Sequence, residues 1–313
     1  MSSSPPSNDN HAISNPQQLA RVVGEHTPAT ALVLAVRQAL RTVPLLSLWL
    51  DWDEEEALPA VLPTLRPLAA SHAMALAQAM HEADDEKGAS RLLPGAEEAG
   101  LLAADVQAAI QHATGAISRA TSVVARRRTQ QAFMHTRNAC AAAVRAAYAA
   151  SAGSDPQAAA RALAHMAGMF DGWGVISAEL ALLDSLGEPP HQQARALLGQ
   201  PLWPDGVDVP GWAREGWQAM REILLGREAE HWQVWTDWYD ALLDPGPLAA
   251  QLLDAGRARA RLQLPEAFWE QGPQMANAAI AQLLKAYDDQ QAQAAHSGRA
   301  QSPARQPGKE DGQ

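Results

Sequence analysis

The sequence predicts an all-α fold, and three observations carry that prediction. Apolar residues recur every three to four positions, the spacing of one helix face. Alternation at period two, the mark of a half-buried strand, reaches no useful length anywhere in the chain. Alanine is abundant while aromatic residues make up only 5% of the chain. Alanine is the best helix former, whereas aromatic and β-branched residues favour strands. The expected architecture is a set of long, alanine-rich antiparallel helices packed with a smaller tryptophan-rich helical subdomain.

Taken in order, residues 1–18 are rich in Ser, Pro and Asn and predict a disordered tail. An alanine-rich helical region is expected over 19–187. Its first good helix opens at Thr27-Pro28, a capping hydroxyl followed by proline at the first helical position. Leu32, Val33, Val36, Leu40 and Val43 give it a single apolar face, and Pro44 ends it. The acidic run DWDEEE (51–56) follows. A second helix is expected from about Leu65 to Glu86, stopped by GASRLLPG. From about Glu97 to Ala150 the spacing predicts one long helix, or two joined at Gly115. After Asp155-Pro156, Leu163, Met166, Phe170, Trp173, Ile176, Leu180 and Leu183 recur at helical spacing up to LGEPP.

A tryptophan-rich helical subdomain is expected over 188–289. It starts with an irregular, proline-rich loop to Pro210, then helices near 212–225, 228–243 and 248–262. PEAFWEQ (265–271) reads as a turn. A last helix runs from Pro273 to Tyr287 with Ala276, Ile280, Leu283, Leu284 and Tyr287 as its stripe. Residues 290–313 lack apolar content and predict a second disordered tail.

Composition narrows the function. A net charge of −11 argues against general binding to nucleic acid or anionic membranes by the whole chain. Cys140 is the only cysteine, so neither an internal disulfide nor a cysteine zinc site can form, and a reducing cytoplasm is the natural location. The first residues have neither the basic start nor the apolar core of a secretory signal. The most apolar stretch, Ala29 to Leu50, carries Arg37 and Arg41 and is broken by Pro44, which argues against membrane insertion.

Seven of the ten tryptophans lie between Trp203 and Trp269. With residues 228–243 as one helix, Trp232, Trp235, Trp238, Tyr239, Leu242 and Leu243 fall within an arc of about 140°. The first reading of such a stripe is a core face. The functional reading makes Trp232, Trp235, Trp238 and Tyr239 a part-exposed aromatic groove for a partner or an apolar ligand.

PLWP (201–204), W-x-x-W-x-D-W-Y-x-x-L-L (232–243) and P-x-x-F-W-E-Q-G-P-x-x-x-N-x-x-I (265–280) resemble a set of uncharacterised proteins of α-proteobacterial type. VRQALRTVPLL (36–46) and Trp173-x-x-x-Ser177 are similar to two further features of that set. The resemblance covers about half the chain. It implies a bacterial, helical accessory protein and supplies no catalytic residues.

The standard catalytic and cofactor motifs are missing: no Walker-type phosphate loop, no G-x-S-x-G elbow, no H-E-x-x-H, no G-x-G-x-x-G. No cofactor and no metal site is expected, and no catalytic residue is assigned. Glu188 and His191 have di-iron spacing but flank Pro189 and Pro190. His72 and His81, nine apart, would face opposite sides of a helix. The acidic runs 51–56 and 81–87 lack calcium-loop spacing. His231, Asp237, Asp240 and Glu270 are the titratable groups nearest the tryptophans.

One segment departs from the acidic average. Residues 106–154 hold six arginines (Arg119, Arg126, Arg127, Arg128, Arg137 and Arg145) and no Asp or Glu. This basic face either docks on acidic segments of the same chain or a partner, or binds an external anion such as nucleic-acid phosphate. With only Phe133 and Tyr148 available for base stacking, the first option is favoured and nucleic acid is disfavoured. The expected function is a non-enzymatic helical interaction or scaffold protein with a protein partner or self-association. The alternatives are an anion or nucleic-acid binder through Arg119–Arg145, and an enzyme of unrecognised type with a cleft beside the tryptophan-rich module.

Overall fold

The computed structural model describes residues 13–50, 54–85, 173–245 and 254–300. Every regular element among them is helical, and they contain no strand. The basic segment 119–145 and its arginines lie outside the described residues.

Order begins earlier than the composition suggested. α1 spans Pro16–Val23, and the Asn15 side chain accepts from the Gln18 N–H at its start. Asn15-Pro16 is the same cap-then-proline signal as Thr27-Pro28, hidden in a polar neighbourhood. Burial of Ile13 and Leu19 fixes this segment to the core.

α2 (Pro28–Leu40) is capped by Thr27, whose hydroxyl accepts from the Thr30 N–H. It is buried on every side from Ala29 onward. By length and composition Pro28–Leu46 is apolar enough to cross a membrane, yet from Ala29 onward it lies inside the protein. A helix that is apolar all round requires such an enclosed place. Past Arg41 the chain tightens into a 3₁₀ turn, Val43–Leu46, and a short α3, Ser47–Leu50.

α4 runs from Glu54 to Asp85, starting well before the expected Leu65. Pro59, Pro63 and Pro67 lie inside it. Each proline removes a backbone donor at a cost of about 3 kcal/mol. Their spacing of four keeps the lost bonds on one side of the helix. Burial of Val61, Leu62, Leu65 and Leu68 offsets this at about 1.5–3 kcal/mol per side chain.

α5 is Trp173–Leu186 and α6 is Pro190–Leu198. α6 occupies what the sequence suggested was an irregular loop. Pro189 takes the N-cap position and Pro190 the first helical one, so the pair read as a stop is a start. α7 spans Gly211–Gly226. A 3₁₀ turn at Glu228–Glu230 then precedes α8, Gln233–Leu243. The single helix expected over 228–243 is therefore broken. The break is at His231, whose φ of 53° and ψ of 38° are left-handed. α9 is Ala255–Leu262, α10 Glu266–Trp269 and α11 Pro273–Ala300, which continues past the expected end at Tyr287.

Buried side chains from both sides of residue 187 form one continuous core, from Ile13 to Leu284. α4 packs on α2, α6 and α9, α7 packs on the Val43–Leu46 turn, and α9 packs on α11. At Gly216 on α7 the backbones meet closely, and a Cβ there would stand 2.7 Å from the Pro44 carbonyl oxygen.

Candidate functional site

Two buried polar clusters lie where the helices meet. The first is built on α2. Arg37 and Arg41 are one turn apart, so both side chains leave the helix on the same side. Both reach Glu179 on α5, which is fully buried. Arg37 donates through Nε to Glu179 Oε1 at 2.5 Å. Arg41 donates through Nη1 and Nη2 to the two oxygens of the same carboxylate at 2.9 and 2.5 Å.

Two guanidiniums on one carboxylate leave a positive excess, and backbone carbonyls take it up. Arg37 also donates to the carbonyls of Leu197, Gln200, Pro201 and Leu202, and Arg41 to that of Leu202. These carbonyls lie at and just beyond the end of α6, where the helix dipole favours a cation. Burial raises the Glu179 carboxyl, but Arg41 and Arg37 overcome it and hold the group below the ordinary carboxylate value. Burial pulls the Arg37 guanidinium down from its ordinary value despite Glu179. Arg41 also lies 5.5 Å from the Trp203 ring. The cluster ties three segments far apart in sequence and leaves no reactive group facing outward.

The second cluster is aromatic. Trp232, Trp235, Trp238 and Tyr239 are 0–1% exposed, which agrees with a core face and corrects the alternative of a part-exposed groove. The stripe faces α2 and α4 instead of solvent. Trp217 and Tyr239 pack with ring centroids 4.3 Å apart, and the series continues through Trp238 and Trp235 to Trp269.

Most polar tips of these aromatic residues hold another part of the fold. Tyr239 Oη donates to the carbonyl of Leu40, an otherwise unpaired acceptor at the end of α2. Trp235 Nε1 donates to Asn277 Oδ1 at 2.7 Å, and Asn277 Nδ2 donates to the Glu230 carbonyl at 2.8 Å. Trp232 donates to the Glu230 carboxylate and Trp269 to the Leu264 carbonyl.

The titratable residues singled out from the sequence do not converge. Asp240 accepts from Trp217 Nε1 at 2.7 Å and pairs with Arg221 at 2.8 Å. Asp237 is exposed, and partial desolvation together with Asp240 raises its carboxyl from the ordinary value. His231 and Glu270 are exposed. Among the described residues no group of three or more His, Cys, Asp or Glu could hold a metal ion.

Sequence reasoning missed two buried groups on the inner side of this cluster. His72 on α4 sets its ring edge-on to Trp238, with centroids 6.0 Å apart. Arg261 on α9 is 2% exposed and lies 5.5–5.6 Å from the rings of Trp238 and Trp235. Burial, then Arg261, then Arg37 push the His72 imidazole down to about 3, so it is neutral. Burial and the neighbouring Arg257 pull Arg261 down to about 9. His72 was weighed only as a ligand with His81, and neither AASHAMA nor RARARL, which read as ordinary helix, marks a buried polar group.

Fold and clusters together define an all-α protein whose tryptophans and buried charges serve as internal fasteners. No protein-family model, no curated protein and no solved structure matches the chain.

Proposed function

We propose that the protein is a non-enzymatic helical scaffold that acts in the cytoplasm through a protein partner or a second copy of itself. One observation carries this reading. The polar side chains that bond the tryptophans and the buried arginines are engaged in holding other parts of the fold; Asp240 is one of them, while His231, Asp237 and Glu270, which the sequence also singled out, are exposed and do not converge. Asp240 secures Trp217 and Arg221, Glu230 secures Trp232, and Glu179 secures two arginines. A general acid or base has to be within reach of a substrate, and these groups face other side chains of the protein.

Among the described residues the one large apolar side chain left exposed is Met275. Contacts through this part of the surface would therefore be polar. The exposed stretch of α11 after Tyr287, where Asp289, Gln290 and Gln291 face solvent, is a surface of that kind.

The test is the mass of the full chain in solution together with crosslinking and recovery from the source cell. A dimer or a reproducible protein complex is expected. A monomer with no recoverable partner counts against the reading.

A second reading rests on the arginine-rich segment, six arginines without an acidic residue over 106–154. It makes that segment an anion or nucleic-acid interface. Binding to RNA or duplex DNA should then weaken steeply with salt and vanish when Arg126, Arg127 and Arg128 are all alanine. Salt-insensitive or absent binding removes it.

A further inference from the structure

Buried polar atoms normally have partners. Three exceptions here share one neighbourhood: His72 Nδ1, Arg257 Nε and Arg261 Nε are all enclosed and bond to nothing. Arg257 and Arg261 sit one turn apart on the same side of α9. His72 and Arg261 both lie against the ring of Trp238.

Arg261 differs sharply from the other deeply buried arginines. Arg37 is 3% exposed and has a carboxylate and four carbonyls. Arg261, equally enclosed, has a single long bond at 3.4 Å to the Val234 carbonyl. The charge that acts on it is that of another cation, Arg257. Arg257 has Asp288 for its Nη1 but nothing for its Nε. Two indole faces attract a guanidinium, but they do not replace the hydration lost on full burial. Among the described residues the seam thus holds two cations, one of them without an anion, and a neutral imidazole whose Nδ1 has no partner.

We propose that a small monovalent anion, a halide, nitrate or short carboxylate, binds in the seam between α4, α8 and α9, with Arg261 as its principal ligand. Arg257 Nε and the Nδ1–H tautomer of His72 are the further donors. The occupant is small because Arg261 is 2% exposed and the same side chains must enclose both. Arg257, 13% exposed along its side chain, marks the edge by which an ion enters. Anion binding at Arg261 is independent of whether the protein has a partner.

The experiment uses the full chain in chloride-free buffer at constant ionic strength, with gluconate as the bulky counter-anion. Sodium bromide, nitrate and acetate are each titrated while Tm is followed, for wild type, Arg261→Met and Arg261→Lys. Wild type should show a saturable rise of about 3–5 °C at ten times the half-saturating concentration. Arg261→Met should lose it. A rise that does not saturate, or that survives in Arg261→Met, overturns the site. Because the variants stand in the core, location is read separately from anomalous scattering of wild-type crystals soaked in bromide. A peak at the Arg261 guanidinium upholds the proposal, and peaks confined to surface arginines overturn it.

Discussion

Replacing Glu179 with glutamine keeps its size and removes its charge, and the effect on stability follows from what that carboxylate holds. Both oxygens are engaged by two guanidiniums at 2.5–2.9 Å, and the residue is fully buried. Glutamine offers one acceptor oxygen and turns an amide donor toward donors. Two desolvated cations then have no anion. Removing one partner of a buried ion pair costs about 3–5 kcal/mol, a large part of a typical total of about 5–15 kcal/mol. The expected fall in Tm is about 6–15 °C. Thermal melts measure that fall, and urea unfolding followed by far-UV circular dichroism and tryptophan emission measures the free-energy cost, with an unchanged denaturant slope. Asp240→Asn is the internal comparison. Its ion pair with Arg221 has side chains 42% and 38% exposed, so losing that charge should cost at most about 1 kcal/mol. If Glu179→Gln costs no more than Asp240→Asn, the view of this carboxylate as the fastener between α2, α5 and the end of α6 is wrong.

Further outcomes are expected. His72 has a folded-state value near 3 against an ordinary 6.5, so the unfolded chain takes up the proton first. Stability is therefore full above about pH 6.5 and is lost as pH falls toward 3, at about 1.4 kcal/mol per pH unit. In halide-free zwitterionic buffer that component of the slope should vanish in His72→Phe, and an unchanged slope would discredit the buried neutral imidazole. Gly216→Ala should destabilise by about 1–3 kcal/mol in thermal melts, because its Cβ would meet backbone at Pro44. Gly174→Ala, with nothing within 4 Å, should instead be neutral or gain up to about 1 kcal/mol. Trp235→Phe should cost about 1–3 kcal/mol in urea titrations by leaving Asn277 Oδ1 without its donor, and a neutral result rejects that bond. His231→Gly should raise Tm slightly, since a left-handed φ of 53° costs a side-chain-bearing residue about 1–2 kcal/mol. A fall would show that the histidine side chain itself holds the turn.

Much of the fold was legible because helix formation is largely a local matter. Thr27-Pro28 announces α2 by capping chemistry alone, and the stripe Ala276, Ile280, Leu284 marks the buried face of α11. The misses have local causes as well. Asn15-Pro16 was hidden among polar neighbours, and Pro189-Pro190 has the chemistry of a start and the reputation of a stop. Three prolines in α4 argue against a helix by propensity, and only burial against α2, α6 and α9 outweighs that cost. At His231 a turn held by Glu230, Trp232 and Asn277 breaks a helix that periodicity alone would continue.

The candidate sites were far less legible. The spacing of Trp235, Trp238, Tyr239 and Leu242 puts them on one face, but not whether that face meets solvent or α4. Arg37 and Arg41 counted only as reasons against a membrane span. Their partner is more than 130 residues away in sequence. The amino-acid order by itself determined that this chain is helical and which side of each helix is oily, because hydrogen bonding and side-chain period act within a few residues. Which charges meet in the interior, and that Arg261 has no counter-ion there among the described residues, was decided only by tertiary packing, since burial and pairing depend on residues brought together from distant turns of the chain.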